Sequence, residues 1–232
     1  MTSNAPAQDA RQKLLAANAA AANALRQRFA AAGTLVVNLI SSPGSGKTTL
    51  LEQTAKRLAG GHRLAAIVGD IATERDADRL RAAGLPAHQI VTGGACHLDA
   101  RMIEQVLSPD AVGAERFEDL DLLFVENVGN LVCPANYDLG EQCKVVLLSV
   151  TEGGDKPFKY PGIFSKADVA LITKLDLLPY VPFDVATVRA EIATLRPSGT
   201  ILEVSSTTGA GLDAWCDLLT QRMAVCKSIT TV

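Results

Sequence analysis

The chain has 232 residues, 48% hydrophobic and 20% charged, with 22 Lys and Arg against 25 Asp and Glu and a formal net charge of −3. That length suits one α/β domain with a complete core and one appended helix. The slightly acidic balance, without any dense basic block, gives no footing for a nucleic-acid partner. Apolar stretches of about six residues fall far short of the roughly 20 that span a bilayer.

The N-terminus lacks a basic-then-apolar signal pattern, so the cytoplasm is the expected compartment. There, the five cysteines at 96, 133, 143, 216 and 226 read as thiols or metal ligands rather than disulfides. Residues 1–8 are expected to be disordered. Residues 9–32 read as one Ala-rich helix, with Leu14, Leu15, Leu25 and Phe29 as its large apolar groups and Gly33 as its stop. It either packs on the flank of the domain or helps a dimer or partner contact. The expected division is a tail and helix over 1–33 and a nucleotide-binding domain over 34–232.

The run LVVNLI predicts a buried strand over 35–40. It is followed by SSPGSGKTT at 41–49 and then by a helical pattern over 47–59. A strand, a Gly-rich turn and a helix opening at Lys47-Thr48 are the context of a phosphate-binding loop. Backbone N–H groups of such a turn face one concavity, and the helix N-terminus adds partial positive charge. Gly44, Ser45, Gly46, Lys47, Thr48 and Thr49 are the expected nucleotide contacts. Lys47 reaches the β- and γ-phosphates, and the Thr48 hydroxyl ligates Mg²⁺. Ser41 stands where the general pattern has its first Gly.

Further strands are expected over 64–69, 87–92, 121–126, 144–150, 169–173 and 200–204, with helices over 74–83, 98–107, 184–195 and 210–223. Short apolar runs alternating with helical patterns predict an α/β P-loop NTPase fold: a mostly parallel, doubly wound sheet flanked by helices. In such sheets the residues at strand ends carry the chemistry. Strand 64–69 delivers Asp70, a candidate Mg²⁺ ligand. Asp76 and Asp78 read as solvated residues of a helix N-terminus. Strand 121–126 reads DLLFVE and delivers Glu126, a Walker-B-like carboxylate for Mg²⁺ or water. The loop NVGNLVCP after it is a candidate switch, with Gly129 allowing close approach to a γ-phosphate. Lys47, Asp70 and Glu126 are thus the candidate catalytic residues.

Strand 169–173 leads into TKLD, close to the Asn-Lys-x-Asp element that reads guanine, with Thr173 in place of Asn. Asp176 would accept from the base's N1 and N2 positions, and the Lys174 stem would cover its face. The SSTTGAGLD loop from Ser205 can offer a backbone N–H to the base. GTP is favoured over ATP. Cys96 and His97 are adjacent, behind glycines 93 and 94 that allow a turn. Cys133 lies in the loop beyond Glu126. Thiolates with imidazole suit Ni²⁺ or Zn²⁺. Three ligands are too few for a closed tetrahedral site, so a second subunit would complete it. Cys143, Cys216 and Cys226 read as core or surface thiols.

The segments TLVVNLISSPGSGKTTLLE, GDIATERDADRL, GGACHLDA, LLFVENVGNLVCPANYDLGE, LLSVTEGGDKPFKYP and ALITKLDLLPY together resemble the HypB family. These are nickel-insertion GTPases of [NiFe]-hydrogenase maturation, within the SIMIBI class of G proteins. The resemblance runs from about residue 10 to about residue 220, and ENVGNLVCP is its most specific phrase. It implies GTP/GDP and Mg²⁺ as ligands and a metal site at Cys96, His97 and Cys133 in a nucleotide-responsive homodimer. It also implies HypA-type metallochaperone and hydrogenase large-subunit precursor partners. The urease accessory GTPases are similar, but their metal motif reads Cys-Pro-His, whereas Cys96 and His97 here are adjacent. Residues 1–33 contain neither the N-terminal Cys-x-x-Cys-Gly-Cys motif nor the His-rich stretch of many family members. Besides that alternative, a nucleotide-gated module holding structural zinc, with little turnover, stays open.

Overall fold

A computed structural model describes residues 5–72, 74–113 and 117–230. Seven strands form one sheet: β1 Leu35–Ser41, β2 Leu64–Asp70, β3 Ala87–Val91, β4 Leu122–Glu126, β5 Cys143–Ser149, β6 Val169–Thr173 and β7 Thr200–Val204. All pair in parallel, in the order β3-β2-β4-β1-β5-β6-β7. Each expected strand is present with its ends placed to within one residue. The helices are α1 Ala5–Ala32, α2 Lys47–Leu58, α3 Arg75–Ala82, α4 Ala100–Val106, α5 Lys156–Lys159, α6 Pro161–Phe164, α7 Val185–Leu195 and α8 Leu212–Thr230. The two short helices α5 and α6 had no periodic signal, because four residues are too few to show one.

Side chains along β1 alternate between two dry layers, which is why its sequence is apolar apart from the buried Asn38 and Ser41. Leu35, Val37 and Leu39 face Leu50 and Leu51 of α2 and Trp215 and Leu219 of α8. Val36 faces Leu25 and Phe29 of α1 and Ile103 of α4, and Ile40 faces Phe164, Val188 and Ile192. Each such fully buried side chain contributes roughly 1.5–3 kcal/mol. No described helix is long and apolar enough to cross a membrane.

The N-terminal helix departs from expectation in one respect. It begins at Ala5, inside the stretch expected to be disordered, while residues 1–4 lie outside the described residues. Pro6 falls in the first turn, where its missing N–H removes no helical hydrogen bond. Along α1, Ala21, Ala22, Leu25 and Phe29 are buried against the domain and Leu14 is exposed.

Candidate functional site: a nucleotide cleft beside a thiol–imidazole cluster

Ser41 ends β1 fully buried, and the chain turns back through Gly44 (φ 76°) and Gly46 (φ 97°) into α2. Both angles lie in the left-handed region that glycine enters without strain. The turn borders a cleft of about 410 Å³ lined by Gly44, Gly46, Lys47, Thr48, Thr49, Asp70, Asp76, Arg79, Glu126 and Lys174, among others. Lys47 Nζ donates to Ser41 Oγ at 2.9 Å. The serine that replaces the pattern's first glycine therefore orients the lysine. Ser45 Oγ donates to the Ser42 carbonyl at 2.8 Å and lies 2.5 Å from Glu152 Oε1.

Thr48 and Glu126 meet across the cleft floor, with Thr48 Oγ1 donating to Glu126 Oε1 at 3.0 Å. Burial pushes the Glu126 carboxyl up to about 7, although the Lys47 charge opposes it; the Asp76 charge adds to the rise. Its second oxygen, Oε2, is buried and has no protein donor among the described residues. A buried carboxylate oxygen without a donor, beside a threonine hydroxyl at the head of a phosphate loop, fits a divalent cation.

Asp70 Oδ1 accepts the Ala72 N–H at 2.8 Å, so this carboxylate also fixes the turn after β2. The expectation for Asp76 and Asp78 divides. Asp78 pairs with Arg81 at 2.6 Å as a surface helix residue, but Asp76 lines the cleft. Arg79, one helical turn on, also lines it, donating to Thr49 Oγ1 at 3.2 Å and pairing with Glu52 at 3.1 Å. Asp76, Arg79 and Glu152 carried no expectation as site residues. Glu152 had a usable signal: Ser149-x-x-Glu152 is a capping box, formed here in full.

At the end of the cleft where the sequence predicts base reading, Thr173 Oγ1 donates to the Ser45 carbonyl at 2.8 Å. The hydroxyl thus ties this strand end to the phosphate loop without the usual Asn amide. Lys174 (φ 60°) turns its stem over the loop: its Cε lies 4.0 Å from where a Cβ on Gly46 would sit. Ser205 Oγ donates to Asp176 Oδ1 at 2.5 Å and accepts the Thr208 N–H at 3.1 Å. The Ser205 N–H itself donates to the Ala210 carbonyl at 2.9 Å. The Ser205 amide is thus taken up within its own loop, and its hydroxyl holds Asp176.

The second cluster sits at the same sheet end. One ligand atom from each of Cys96, His97 and Cys133 lies within 4.8 Å of the others, and all three residues are half-buried. Gly93 (φ 60°) and Gly94 (φ 111°) make the turn that lets adjacent Cys96 and His97 converge, with Sγ and Nδ1 3.7 Å apart. Its contact with the Cys133 thiol, and then burial, push the Cys96 thiol up. Burial lowers His97, which favours a neutral ring with a lone pair. The His97 ring stacks on Tyr137, centroids 3.7 Å apart and planes tilted 31°. Two sulfurs and an imidazole at one point form a donor set for Zn²⁺ or Ni²⁺ rather than Mg²⁺. By contrast, Cys143 is buried and its thiol is pushed up to about 12; burial raises Cys216 and Cys226 as well.

Asn127 joins the two clusters and carried no sequence expectation. It follows Glu126, is 1% exposed, and its Oδ1 accepts the Leu98 N–H at 3.0 Å, one residue beyond His97. Its Nδ2 donates to Asn38 Oδ1 at 3.3 Å, and its own N–H donates to the Leu39 carbonyl at 3.0 Å. Gly129 follows, so close to the phosphate loop that a Cβ there would lie 2.9 Å from Pro43 Cγ.

The nucleotide-binding domain family CobW/HypB/UreG matches residues 35–203. Hydrogenase maturation factor HypB of Escherichia coli strain K12 is 52% identical over 200 residues, covering 86% of this chain and 67% of that protein. The crystal structure of hydrogenase maturation factor HypB from Archaeoglobus fulgidus superposes with a TM-score of 0.82 at 40% identity, covering 90% of this chain and 99% of that one. That of HypB from Helicobacter pylori in complex with nickel superposes with a TM-score of 0.82 at 41% identity, covering 89% and 95%. A phosphate loop and a thiol–imidazole cluster at one sheet end, on a chain related over most of its length, have a single consistent reading: the chain belongs to the HypB family of hydrogenase maturation factors.

Proposed function

We propose that this chain is a GTP-hydrolysing accessory protein that assists nickel delivery to a [NiFe]-hydrogenase large-subunit precursor. The observation that carries the reading is the meeting of Cys96, His97 and Cys133 on the two loops that Asn127 ties to the nucleotide cleft. The nickel complex of the Helicobacter pylori relative supports nickel as the cargo.

In the proposed reaction, Lys47 neutralises charge developing on the β- and γ-phosphoryl oxygens. Thr48, Glu126 and Asp70 would hold Mg²⁺, which when bound supplies positive charge to the same oxygens. Gly44, Ser45, Gly46 and Thr49 surround the phosphates, and Asp176, held by Ser205, reads the guanine beneath the Lys174 stem. Loss of the γ-phosphate relaxes the loop from Glu126 to Cys133 and changes the geometry of the metal ligands. The linkage is reciprocal: any factor by which GTP changes metal affinity is the factor by which metal changes GTP affinity. A second copy of the chain completes the three-ligand site. A HypA-type metallochaperone is the proposed partner in transfer, and the cytoplasm the proposed compartment.

The test is a Ni²⁺ and Zn²⁺ titration of the chain bound to GDP and to a non-hydrolysable GTP analogue, with mass measured in parallel. We expect metal affinity and mass to change with the nucleotide, and Cys133→Ala to weaken metal binding while Cys226→Ala does not. A tight site in a monomer, indifferent to nucleotide and to Cys133→Ala, would refute the reading.

A further inference from the structure

The two loops that carry the metal ligands belong to different parts of the sheet. Cys96 and His97 precede α4, whereas Cys133 and Tyr137 lie between β4 and β5. One side chain outside both loops bonds to both. Asn18, on α1, is 3% exposed. Its Oδ1 accepts the N–H of Ala100 at 2.8 Å, and its Nδ2 donates to the carbonyl of Asp138 at 2.9 Å. Ala100 is three residues beyond His97, and Asp138 directly follows the tyrosine on which His97 stacks.

The surrounding contacts show that α1 is fitted to this task. Arg26 Nη2 pairs with both carboxylate oxygens of Asp138, at 2.7 and 2.5 Å. Gly140 (φ 79°) lets the chain pass so close to α1 that a Cβ there would lie 2.7 Å from the Ala22 carbonyl oxygen. At the far end of α4, Arg28 Nη1 donates to the Leu107 carbonyl at 2.7 Å. A buried asparagine in an Ala-rich helix gains nothing from helix propensity. Burying its amide without partners would be unfavourable. Here both ends are satisfied, by the backbone N–H at the start of α4, just beyond the Cys96-His97 loop, and by a backbone carbonyl of the segment between β4 and β5.

We propose that Asn18 is a positioning residue of the metal site: it clamps the Cys96-His97 loop to the Cys133–Tyr137 loop and so sets the spacing of the three ligands. This gives α1 a role in the site although it contains no cysteine or histidine in its described span. The inference rests on the metal site proposed above, and the experiment separates the two.

The full chain, parent and variants, is titrated with Ni²⁺ alone in the GDP state. The readouts are affinity and the thiolate-to-nickel charge-transfer absorption, with GDP affinity as the control for folding. Asn18→Ala, which favours helix, is expected to weaken Ni²⁺ binding by about tenfold or more and to alter the absorption band, with GDP affinity held within about twofold. Asn18→Asp keeps the size and the acceptor for Ala100 but sets a carboxylate against the Asp138 carbonyl; it should also weaken Ni²⁺. Arg28→Gln cuts a contact of α1 with α4 remote from the ligands and should leave Ni²⁺ binding and the band unchanged.

If the parent shows no Ni²⁺ site that Cys133→Ala removes, the metal site itself fails and the inference falls with it. If the parent binds but both Asn18 variants bind equally well, with an unchanged band, the clamp alone is wrong. The clamp is equally refuted if Arg28→Gln weakens Ni²⁺ as much as Asn18→Ala, or if GDP affinity falls in parallel with Ni²⁺ affinity. Those results would mean that only general docking of α1 matters.

Discussion

The nucleotide cleft and the metal cluster share one end of the sheet but are built in opposite ways. The phosphate loop is largely local: nine consecutive residues, two left-handed glycines and a helix start set its path, with Thr173 and Glu152 reaching Ser45 from outside. The metal cluster is assembled over distance. Its candidate ligands lie on two loops and are brought within 4.8 Å by a glycine turn, an aromatic stack and buried amides from elsewhere. A local site tolerates movement of its neighbours, whereas an assembled one changes when any brace moves. This is the property a nucleotide-controlled metal site requires.

The largest expected effect tests the local site. Lys47→Ala removes the charge that the proposed mechanism sets against the transferring phosphoryl group and that Ser41 Oγ orients. Hydrolysis should fall by about a hundredfold or more. Phosphate release measured under saturating GTP checks it, and a rate close to the parent's would break the assignment. Ni²⁺ affinity in the absence of nucleotide should stay where it was, because Lys47 touches neither metal loop.

Next in size is Asp176→Asn. It reverses hydrogen-bond polarity at the base, so GTP affinity should fall by about a hundredfold while xanthosine triphosphate improves. Calorimetry with GTP, ATP and xanthosine triphosphate tests both halves; equal GTP and ATP affinity in the parent would refute guanine reading altogether. Ser205→Ala should give the same trend more weakly, since it only loosens Asp176.

The buried carboxylate on the floor of the nucleotide cleft gives a pH test. Glu126 is pushed up to about 7, so between the ordinary glutamate range and that value the folded chain without metal carries a proton there that the unfolded chain has released. The sign follows: this group makes folding less favourable as pH rises from the ordinary glutamate range toward 7. A divalent cation must displace the proton below 7. Apparent Mg²⁺ affinity in the GDP complex should therefore rise about tenfold per pH unit up to 7, then level off. Titration of the nucleotide's own phosphate adds a slope, so the Glu126→Gln variant is the reference. If parent and variant show the same slope, Glu126 does not bind the cation.

The same contrast governs what was legible in the sequence. The five inner strands, buried on both faces, are short and largely apolar runs, and they could be placed together with the half-buried edge strands β3 and β7, the phosphate loop and the strand-end residues Asp70, Glu126 and Lys174. The thiol–imidazole trio could be named from residue type, but not what holds it. Asn18 and Asn38 are polar residues with no motif around them, and Asn127 lies in the ENVGNLVCP phrase without a role read for its own side chain; burial and partners in distant segments give all three meaning. Asp76 and Arg79 were masked for a related reason. On a helix start, an acid followed by a base three residues later is the ordinary pattern of a solvated surface, and only the fold turns that face into the cleft.

Thr173 gives the smallest expected effect and the finest test of the local site. In the sequence it looks like a defect in a base-reading element, a lost Asn amide that should loosen the loop. In the fold its hydroxyl is 2.8 Å from the Ser45 carbonyl and the residue is buried, so the tie between base loop and phosphate loop is kept by a shorter donor. Thr173→Val preserves shape and removes only that donor, leaving a buried carbonyl without it. The loss should be about 1 kcal/mol, near fivefold in affinity. GTP and GDP should weaken alike, because Ser45 belongs to the loop that both nucleotides share. The GTP-to-xanthosine-triphosphate ratio should not move, because Asp176 is untouched. Thr173→Asn should bind at least as well as Thr173→Val, since its amide can reach the same carbonyl. An unchanged affinity in Thr173→Val would mean that the tie is idle, and a changed base preference would mean that Thr173 acts on Asp176 rather than on the phosphate loop.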